Sequence, residues 1–399
     1  MKQLKKRFNV KDSKNNFKLN EVIIITLSFS VIFSFLTGYF IYRKYNGNST
    51  NTNDIIKTYN KILDTYYEEV DKNALADSAI DGMMNYLNEK YSEYLDKDSA
   101  LSLNDKLDGS YKGIGIQIGK RNNIIQIINV FIDTPAEKAG LQAGDVIKVI
   151  DGEDVSKYQL SKLVELIQDK DTTTMLVERN GKELEFKINI KEIDNPVVTY
   201  SIFNRNDKKI GYIYLSSFSK SSYDQIKKSL NNLEKQEIDS LIFDVRGNTG
   251  GYLNSVTDIL ELFIKKGKVL YSLEEKSNKT IIYDESNEKR TYPIVVLIDN
   301  ASASASEILA SSLKESYGAI LVGVNTYGKG KVQQTSTLND DSMVKYTTAK
   351  WYTPNGNSID EIGIKPGVYV ELTEKYANNP SDETDDQLQK AIDVVSKMN

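Results

Sequence analysis

The stretch IVVLIDNASASASEILASSLKES, residues 294–316, predicts a buried strand followed directly by a helix. Its first part, Ile294–Ile298, is a short β-branched run, as in a buried strand. After a polar turn, apolar residues recur at helical spacing, and Ser304 followed three residues later by Glu307 is the pattern of a helix-capping box. This strand, turn and helix favour a fold in which helices pack on a sheet.

The alternating serines Ser302, Ser304 and Ser306 allow two interpretations. In the first, Ser304 only caps the helix, which is common for such boxes. In the second, one serine is a nucleophile, because the first turn of a helix carries a positive potential that favours an alkoxide and offers N–H groups to an oxyanion. The second interpretation requires a base elsewhere in the chain.

The composition restricts that base, because the chain has no histidine and no cysteine. A Ser-His-Asp triad, a thiol nucleophile and the usual zinc ligands are therefore excluded. The base has to be Lys, Asp, Glu, Tyr or a terminal amine, and lysine is the best-attested replacement. The net charge of −5 argues against a nucleic-acid-binding surface as the main function, and 399 residues suffice for two or three domains.

An uncharged apolar segment at residues 22–42 predicts a membrane anchor, since 21 helical residues span about 30 Å. Seven basic residues precede the segment and two follow it, which predicts a cytoplasmic N-terminus and the remaining residues outside. A cleaved signal peptide is the alternative, but the segment is long and lacks an Ala-x-Ala site. The polar stretch 47–53 then reads as a linker.

Strands and helices alternate from about 195 to 371, which is typical of an α/β core with a largely parallel central sheet. Ligands of such sheets bind at the carboxyl ends of the strands. One loop at such a position is DVRGNTGG, residues 244–251. Its glycines Gly250 and Gly251 either direct backbone N–H groups at an oxyanion or simply make a turn.

The second loop is GVNTYGKGKVQQ, residues 323–334. It comes close to a phosphate-binding loop, but Gly330 stands where a Mg²⁺-binding Ser or Thr is required and the following residues predict a strand. We therefore reject a nucleotide site. What remains is Lys329, which is either a solvated surface charge or, if burial lowers its pKa, a base.

The regions before this core have different patterns. Residues from Asp54 predict two helices, the second running from about Ala74 to Tyr94. From about 101 to 190, YKGIGIQIGK and NIIQIINVF predict strands, and KYQLSKLVELIQ predicts one amphipathic helix.

The order of these elements, with AGLQAGD at residues 139–145, resembles a PDZ domain. The resemblance implies that the backbone N–H groups of Gly113, Ile114, Gly115 and Ile116 bind the terminal carboxylate of a peptide, which adds a strand to the sheet edge. In the alternative interpretation these glycines only make tight turns.

The PDZ-like insertion is followed along the chain by the motifs GYIYLSSF, DVRGNTGG, SASASEI and TYGKGKVQQ, and these pieces in this order resemble the C-terminal processing peptidases. These tail-specific serine peptidases use a Ser-Lys dyad. The resemblance covers roughly residues 54–399 and implies a ClpP/crotonase-like α/β core. The predicted regions are a cytoplasmic tail (1–20), a transmembrane signal-anchor (21–42), a linker (43–53), an N-terminal helical region (54–98), a PDZ domain (99–190), a peptidase core (191–371) and a C-terminal helical segment (372–399).

Carried over residue by residue, the resemblance makes Ser304 the nucleophile and Lys329 the base, 25 residues later. Gln333, four residues after Lys329, would hold the lysine by a hydrogen bond. The oxyanion would be bound by the N–H groups of Ala305 and a glycine of the 250–251 pair, with Gly250 preferred. Thr249 replaces a proline found in many members, which leaves the choice between the two glycines open.

The resemblance implies a membrane-anchored, extracytoplasmic endopeptidase that recognises protein substrates by apolar C-termini. Its mechanism needs no metal and no organic cofactor, and a homo-oligomer is possible. The competing hypothesis is a membrane-tethered PDZ scaffold with an inactive protease core.

Overall fold

The computed structural model describes residues 27, 29–39, 50–121, 124–131, 134–168, 170–287 and 290–398. The chain divides into two compact units, one ending at Ile80 and one beginning at Asp81. Within the described ranges, no helix combines the length and the apolar character needed to cross a bilayer. The predicted tail at 1–20 and part of the predicted anchor at 22–42 lie outside these ranges, so the membrane segment stays a prediction.

The first unit is helical. Helix α1 is described over residues 29–39, α2 spans Thr50–Thr65, and α3 begins at Lys72. The hydroxyl group of Tyr59 in α2 donates to the carbonyl oxygen of Lys72 at 2.9 Å, which ties the two helices together.

The second predicted helix is shorter than expected. Helix α3 (Lys72–Tyr86) ends eight residues before Tyr94, because Asn88 has a left-handed backbone with φ of +48°. The following residues Glu93–Leu95 form strand β1, which pairs with strand β18 (Met343–Tyr352). The prediction of a helix to Tyr94 was therefore wrong, because a pairing with a distant strand outweighs the local helical spacing.

The PDZ-like region contains a short two-stranded sheet, β2 with β9, and a larger sheet in the order β3-β4-β5-β7-β8, with β6 paired to β5. Inward residues such as Ile125, Ile127, Met175 and Val177 alternate with exposed or half-buried ones and form its core. The elements are α4 (Lys97–Asp108), β2 (Ser110–Gly113), β3 (Ile116–Arg121), β4 (Ile124–Val130), α5 (Pro135–Ala139), β5 (Val146–Ile150), β6 (Glu153–Asp154), α6 (Leu160–Gln168), β7 (Thr172–Arg179), β8 (Lys182–Asn189) and β9 (Lys191–Asp194).

The central sheet of the core has the order β10-β11-β12-β15-β16-β19 and is parallel except for the pair β10 and β11. The predicted α/β core with a largely parallel sheet is thus confirmed. Its elements are β10 (Val198–Arg205), β11 (Lys208–Leu215), α7 (Ser222–Glu234), β12 (Ser240–Asp244), α8 (Leu253–Glu261), β15 (Ile294–Ile298), α9 (Ala305–Ser312), a π-helical turn (Leu313–Tyr317), β16 (Ile320–Gly323), β19 (Val368–Tyr369), α10 (Glu374–Asn378) and α11 (Asp386–Val395).

Both faces of this sheet are covered, which explains why β12 and β15 are apolar runs rather than alternating ones. Leu241 and Phe243 pack on the side of α7, α8 and α9, whereas Ile242 packs on the side of α11. A second sheet has the order β1-β18-β13-β14, and β17 also pairs with β18. Strand β17 begins two residues after Lys329, so this sheet holds the chain that follows the lysine. Its further strands are β13 (Val269–Glu275), β14 (Asn278–Tyr283) and β17 (Lys331–Thr337).

Candidate active site

Ser304 lies between the carboxyl end of β15 and the first residue of α9 and has a strained backbone. Its φ of +55° and ψ of −114° are rare for a residue other than glycine and cost about 1–3 kcal/mol. The helix start holds this conformation, because the N–H of Ser304 donates to Oε2 of Glu307 at 2.9 Å and its carbonyl oxygen accepts from the N–H of Ile308 at 3.0 Å. The predicted capping box is present, although the approach of the Glu307 N–H to the Ser304 side chain falls short of a hydrogen bond.

The three serines differ in what their hydroxyl groups do. Ser302 is fully buried and its Oγ donates to the carbonyl oxygen of Val245 at 2.9 Å. Ser306 is also buried and donates to the carbonyl oxygen of Asn248 at 2.8 Å. Within the described part of the chain, the Oγ of Ser304 makes no hydrogen bond. Ser302 and Ser306 therefore fix the loop, and Ser304 alone retains a free hydroxyl group.

Glu307 joins the serine loop to the lysine loop. Its carboxylate is fully buried, and Oε2 accepts from the N–H groups of both Ser304 and Lys329 at 2.9 Å. The two backbone nitrogens are therefore no more than twice that distance apart. Oε1 accepts from the Thr326 hydroxyl at 2.6 Å and from the Gly328 N–H at 2.7 Å. The sequence marked Glu307 only as half of a capping box, because nothing in the local pattern reveals donors that follow about twenty residues later.

Lys329 is partly buried, and burial lowers the pKa of its ammonium group below 10.5. The positive charge of Lys345 lowers this pKa further, while Tyr327, Glu89 and Glu307 oppose the shift. The net effect is a larger neutral fraction than an exposed lysine would have, which a general base requires.

The ring of Tyr91 covers the lysine, with its centroid 4.7 Å from the Lys329 Nζ. This distance is within the range of a cation–π contact with the protonated amine. Sequence reasoning missed Tyr91, because the predicted helix to Tyr94 gave it no role near the core.

The two glycines around Lys329 are explained by close packing of the loop. Gly328 has φ of +90°, and a Cβ there would lie 2.8 Å from the backbone nitrogen of Gly363. Gly330 donates its N–H to Asp360 at 3.0 Å, and the indole N–H of Trp351 donates to the Lys329 carbonyl oxygen at 2.8 Å. These contacts fix the backbone on both sides of the lysine.

The loop 244–251 packs directly against the serine. A Cβ added at Gly250 would lie 2.9 Å from the Cβ of Ser304 and 3.2 Å from the backbone nitrogen of Ala305. Asn248 anchors the loop by donating from Nδ2 to the Leu215 carbonyl oxygen at 2.9 Å. The glycine at 250 is thus required by space as well as by its φ of +107°.

The N–H of Gly250 is already used, because it donates to Oδ1 of Asn248 at 2.8 Å. The carbonyl oxygen of Gly250 accepts from the Phe218 N–H at 3.1 Å, and the N–H of Gly251 belongs to the same trans peptide and points the opposite way. Neither Gly251 nor Ala305 donates its N–H to any residue that the structure describes. The geometry therefore favours Gly251 over the predicted Gly250 as the second free donor.

Gln333 lies on β17, and its Nε2 donates to the hydroxyl group of Thr347 on β18 at 3.1 Å. The predicted hydrogen bond between Gln333 and Lys329 is not formed among the described residues. The oxygen Oε1 of the amide remains available as an acceptor.

The predicted peptide-binding residues Gly113, Ile114, Gly115 and Ile116 all line one apolar groove of the PDZ-like region. The groove lies between β3 and α6, and its walls are mainly isoleucine side chains. Ile114 and Gly115 donate their N–H groups to none of the described residues. As for metals, the described ranges hold no group of three or more Asp or Glu side chains arranged to bind an ion.

Three parts of the chain match known families. Residues 209–370 match peptidase family S41, residues 113–190 match the PDZ domain, and residues 42–99 match the N-terminal domain of the activating protease CtpB.

Among curated proteins, the chain is 40% identical over 331 residues to the carboxy-terminal processing protease CtpB of Bacillus subtilis (strain 168), covering 82% of this chain and 69% of that protein. It is 35% identical to CtpA of the same strain, covering 92% and 80%. A structure solved for an S41 protease candidate of Bacteroides fragilis NCTC 9343 shares the fold, with a TM-score of 0.50 and 19% identity over 84% of this chain and 92% of that one.

The chain therefore belongs to peptidase family S41, the C-terminal processing peptidases, and is a serine-type peptidase with a PDZ domain. The expected family and the expected peptidase fold with a PDZ domain are confirmed, whereas the transmembrane helix stays a prediction.

Proposed function

We propose that the chain is an endopeptidase in which Ser304 is the nucleophile and Lys329 the general base. The observation that carries this proposal is the free hydroxyl group of Ser304 in a loop that the buried Glu307 carboxylate fastens to the Lys329 backbone. The lowered pKa of Lys329 supports its role as the proton acceptor.

In this mechanism, the neutral amine of Lys329 takes the hydroxyl proton of Ser304 as Oγ attacks a peptide carbonyl carbon. The N–H groups of Ala305 and Gly251 stabilise the tetrahedral oxyanion. The protonated Lys329 then gives the proton to the leaving amine, and the peptide C–N bond breaks to leave an acyl ester on Ser304. A water molecule, deprotonated by Lys329, attacks this ester, the bond between the acyl carbon and Oγ breaks, and Lys329 returns the proton to Oγ of Ser304 as the acid product leaves.

The PDZ region supplies the second part of the proposal, the recognition of C-terminal tails. A tail that adds a strand along β3 would place its carboxylate near the free N–H groups of Ile114 and Gly115. Its last side chain would enter the apolar groove, where burial removes hydrocarbon from water. The relatives named as carboxy-terminal processing proteases support such a substrate class.

The third part of the proposal is a single-pass membrane anchor with the N-terminus in the cytoplasm and the protease outside. It rests on the apolar segment 22–42 and on the excess of lysine and arginine before it. The substrates would then be proteins exposed on that side of the membrane.

The test of the catalytic proposal is cleavage of an unstructured protein with an apolar C-terminus by four variants. Ser304→Ala and Lys329→Ala should abolish cleavage while their circular dichroism spectra stay unchanged. Ser302→Ala and Ser306→Ala should remain active and lose about 1 kcal/mol of stability for the missing hydrogen bond. Retained activity in Lys329→Ala would refute the dyad. A Ser304→Ala protein that fails to fold would point back to a helix-capping role of the serine hydroxyl group.

A further inference from the structure

A line of hydrogen bonds leads from Gln333 away from the lysine loop to a residue that precedes the PDZ region. Nε2 of Gln333 donates to Oγ1 of Thr347 at 3.1 Å, and Oγ1 of Thr347 is 2.8 Å from Oε2 of Glu89. The three residues lie on β17, β18 and the segment after α3, and they meet only in the folded chain.

The direction of these bonds follows from the chemistry of Glu89. Its carboxylate also accepts from the Ser92 hydroxyl at 2.8 Å and pairs with Lys331 at 3.4 Å. Burial would raise the pKa of Glu89, but the hydrogen bonds from Ser92 and Thr347 keep that pKa below its usual range. An ionised carboxylate only accepts, so Thr347 must give its proton to Glu89 and can only accept from the Gln333 amide.

A β-bulge aligns Gln333 with Thr347. The register of β17 and β18 shifts between Val332 and Gln333, so Gln333 lies opposite Thr347 instead of Thr348. Directly opposed residues of antiparallel strands place their side chains on one face, and bulges near active sites re-aim a side chain in this way.

We infer that Glu89 is a positioning residue of the active site, which acts through Thr347 to orient the Gln333 amide so that its carbonyl oxygen faces the catalytic lysine. With Nε2 committed to Thr347, only Oε1 can accept a hydrogen bond from Lys329. The reversed amide would present N–H donors to an ammonium group and repel it. This inference rests on the proposed Ser304–Lys329 mechanism.

The same segment contacts the lysine directly through the ring of Tyr91, two residues after Glu89. The negative charge of Glu89 also acts on Lys329, where it raises the pKa of the ammonium group and so opposes the effect of burial. One short stretch between α3 and β1 thus contributes both a ring over the lysine and the acceptor that orients its hydrogen-bonding partner.

The test changes Thr347, because this keeps every charge in place. Thr347→Val removes the hydroxyl group at constant shape, and Thr347→Ser keeps it. In the full chain, we expect Thr347→Val to lower kcat about tenfold at unchanged KM, as is usual for groups that orient catalytic residues, and Thr347→Ser to restore it. Thr348→Val is the matched control, since it makes the same change in the same bulge, where no described residue bonds to the Thr348 hydroxyl, and it should leave kcat unchanged.

A double-mutant cycle separates orientation from general damage. If Thr347 acts through Gln333, then Thr347→Val should add nothing to the loss caused by Gln333→Ala. Glu89→Ala should also add nothing on the high-pH plateau of the cleavage rate, where Lys329 is neutral in every variant and the charge of Glu89 no longer changes the fraction of neutral lysine. Additive losses in kcat, or a Thr347→Ser enzyme as slow as Thr347→Val, would overturn the inference. Activity that survives in Ser304→Ala or Lys329→Ala would refute the dyad itself, so the two failures are distinguishable.

Discussion

The replacement of Glu307 by glutamine tests whether one buried carboxylate holds the active site together. The side chain keeps its shape in Glu307→Gln, but one of two accepting oxygens becomes an NH₂ group and the charge is lost. In the native protein each oxygen accepts two hydrogen bonds, Oε2 from the Ser304 and Lys329 N–H groups and Oε1 from Thr326 and Gly328.

The expected cost can be estimated from these four donors. The Thr326 hydroxyl can rotate to accept from the new NH₂ group, but backbone N–H groups cannot. If the NH₂ group takes the place of Oε1, the Gly328 N–H loses its acceptor. If it takes the place of Oε2, the Ser304 and Lys329 N–H groups both lose theirs. A buried donor without an acceptor costs about 1–3 kcal/mol, and the remaining bonds lose their charge assistance, so we expect a loss of about 3 kcal/mol in the free energy of unfolding.

Urea unfolding followed by circular dichroism measures this loss, and a peptide-cleavage assay in the native range measures its effect on catalysis. We expect the rate to fall about a hundredfold, because the serine and lysine loops lose their common anchor and small displacements of reacting groups are costly. Glu315→Gln is the control, since its carboxylate accepts one hydrogen bond from Asn355 outside the site and its loss should change stability by less than about 0.5 kcal/mol. An equally small change in Glu307→Gln, with normal cleavage, would refute the assignment of Glu307 as the anchor.

Three further predictions concern the base, the groove and the membrane. The cleavage rate should rise with pH through the folded pKa of Lys329, and the midpoint of this rise should lie below 10.5 because burial lowers that pKa. Lys345→Ala should move the midpoint to higher pH by removing a like charge, and a midpoint that moves down would contradict this electrostatic account. Calorimetry should detect binding of peptides that end in an apolar residue with a free carboxylate and much weaker binding of the matched amides, whereas equal affinities would remove the role of Ile114 and Gly115. Protease added outside intact cells should degrade the body of the chain and spare the first twenty residues, and a protected body would overturn the predicted orientation.

The sequence predicted those elements whose signal is local. The run Ile294–Ile298 and the helix that begins at Ala305 both form where expected, because a short apolar stretch and a capping pattern depend on neighbouring residues alone. The alternation of strands and helices likewise predicted the largely parallel sheet, since a parallel pair requires a long crossover connection. The family motifs added the proposed roles of Ser304 and Lys329, which no periodicity could assign.

The elements that the sequence missed depend on distant partners. Strand β1 was predicted as the end of a helix, because its partner β18 lies some 250 residues away along the chain. Glu89 and Tyr91 were missed for the same reason, because they contact Thr347 and Lys329 only where the chain leaves α3 to form β1. The choice between Gly250 and Gly251 was also undecidable, since it depends on which peptide oxygen bonds to the Phe218 N–H.

The serine repeat shows why a capping pattern and a nucleophile need not exclude each other. In a simple cap the serine hydroxyl satisfies the helix N-terminus and is consumed by it. Here only the glutamate half of the box makes a hydrogen bond, because Glu307 accepts from the Ser304 N–H and the serine hydroxyl makes no cap hydrogen bond. The same carboxylate then accepts from the Lys329 backbone, so the residue that begins the helix also brings the lysine loop to it. A motif that looks like ordinary helix chemistry in sequence therefore frees one hydroxyl group and brings a lysine loop to it.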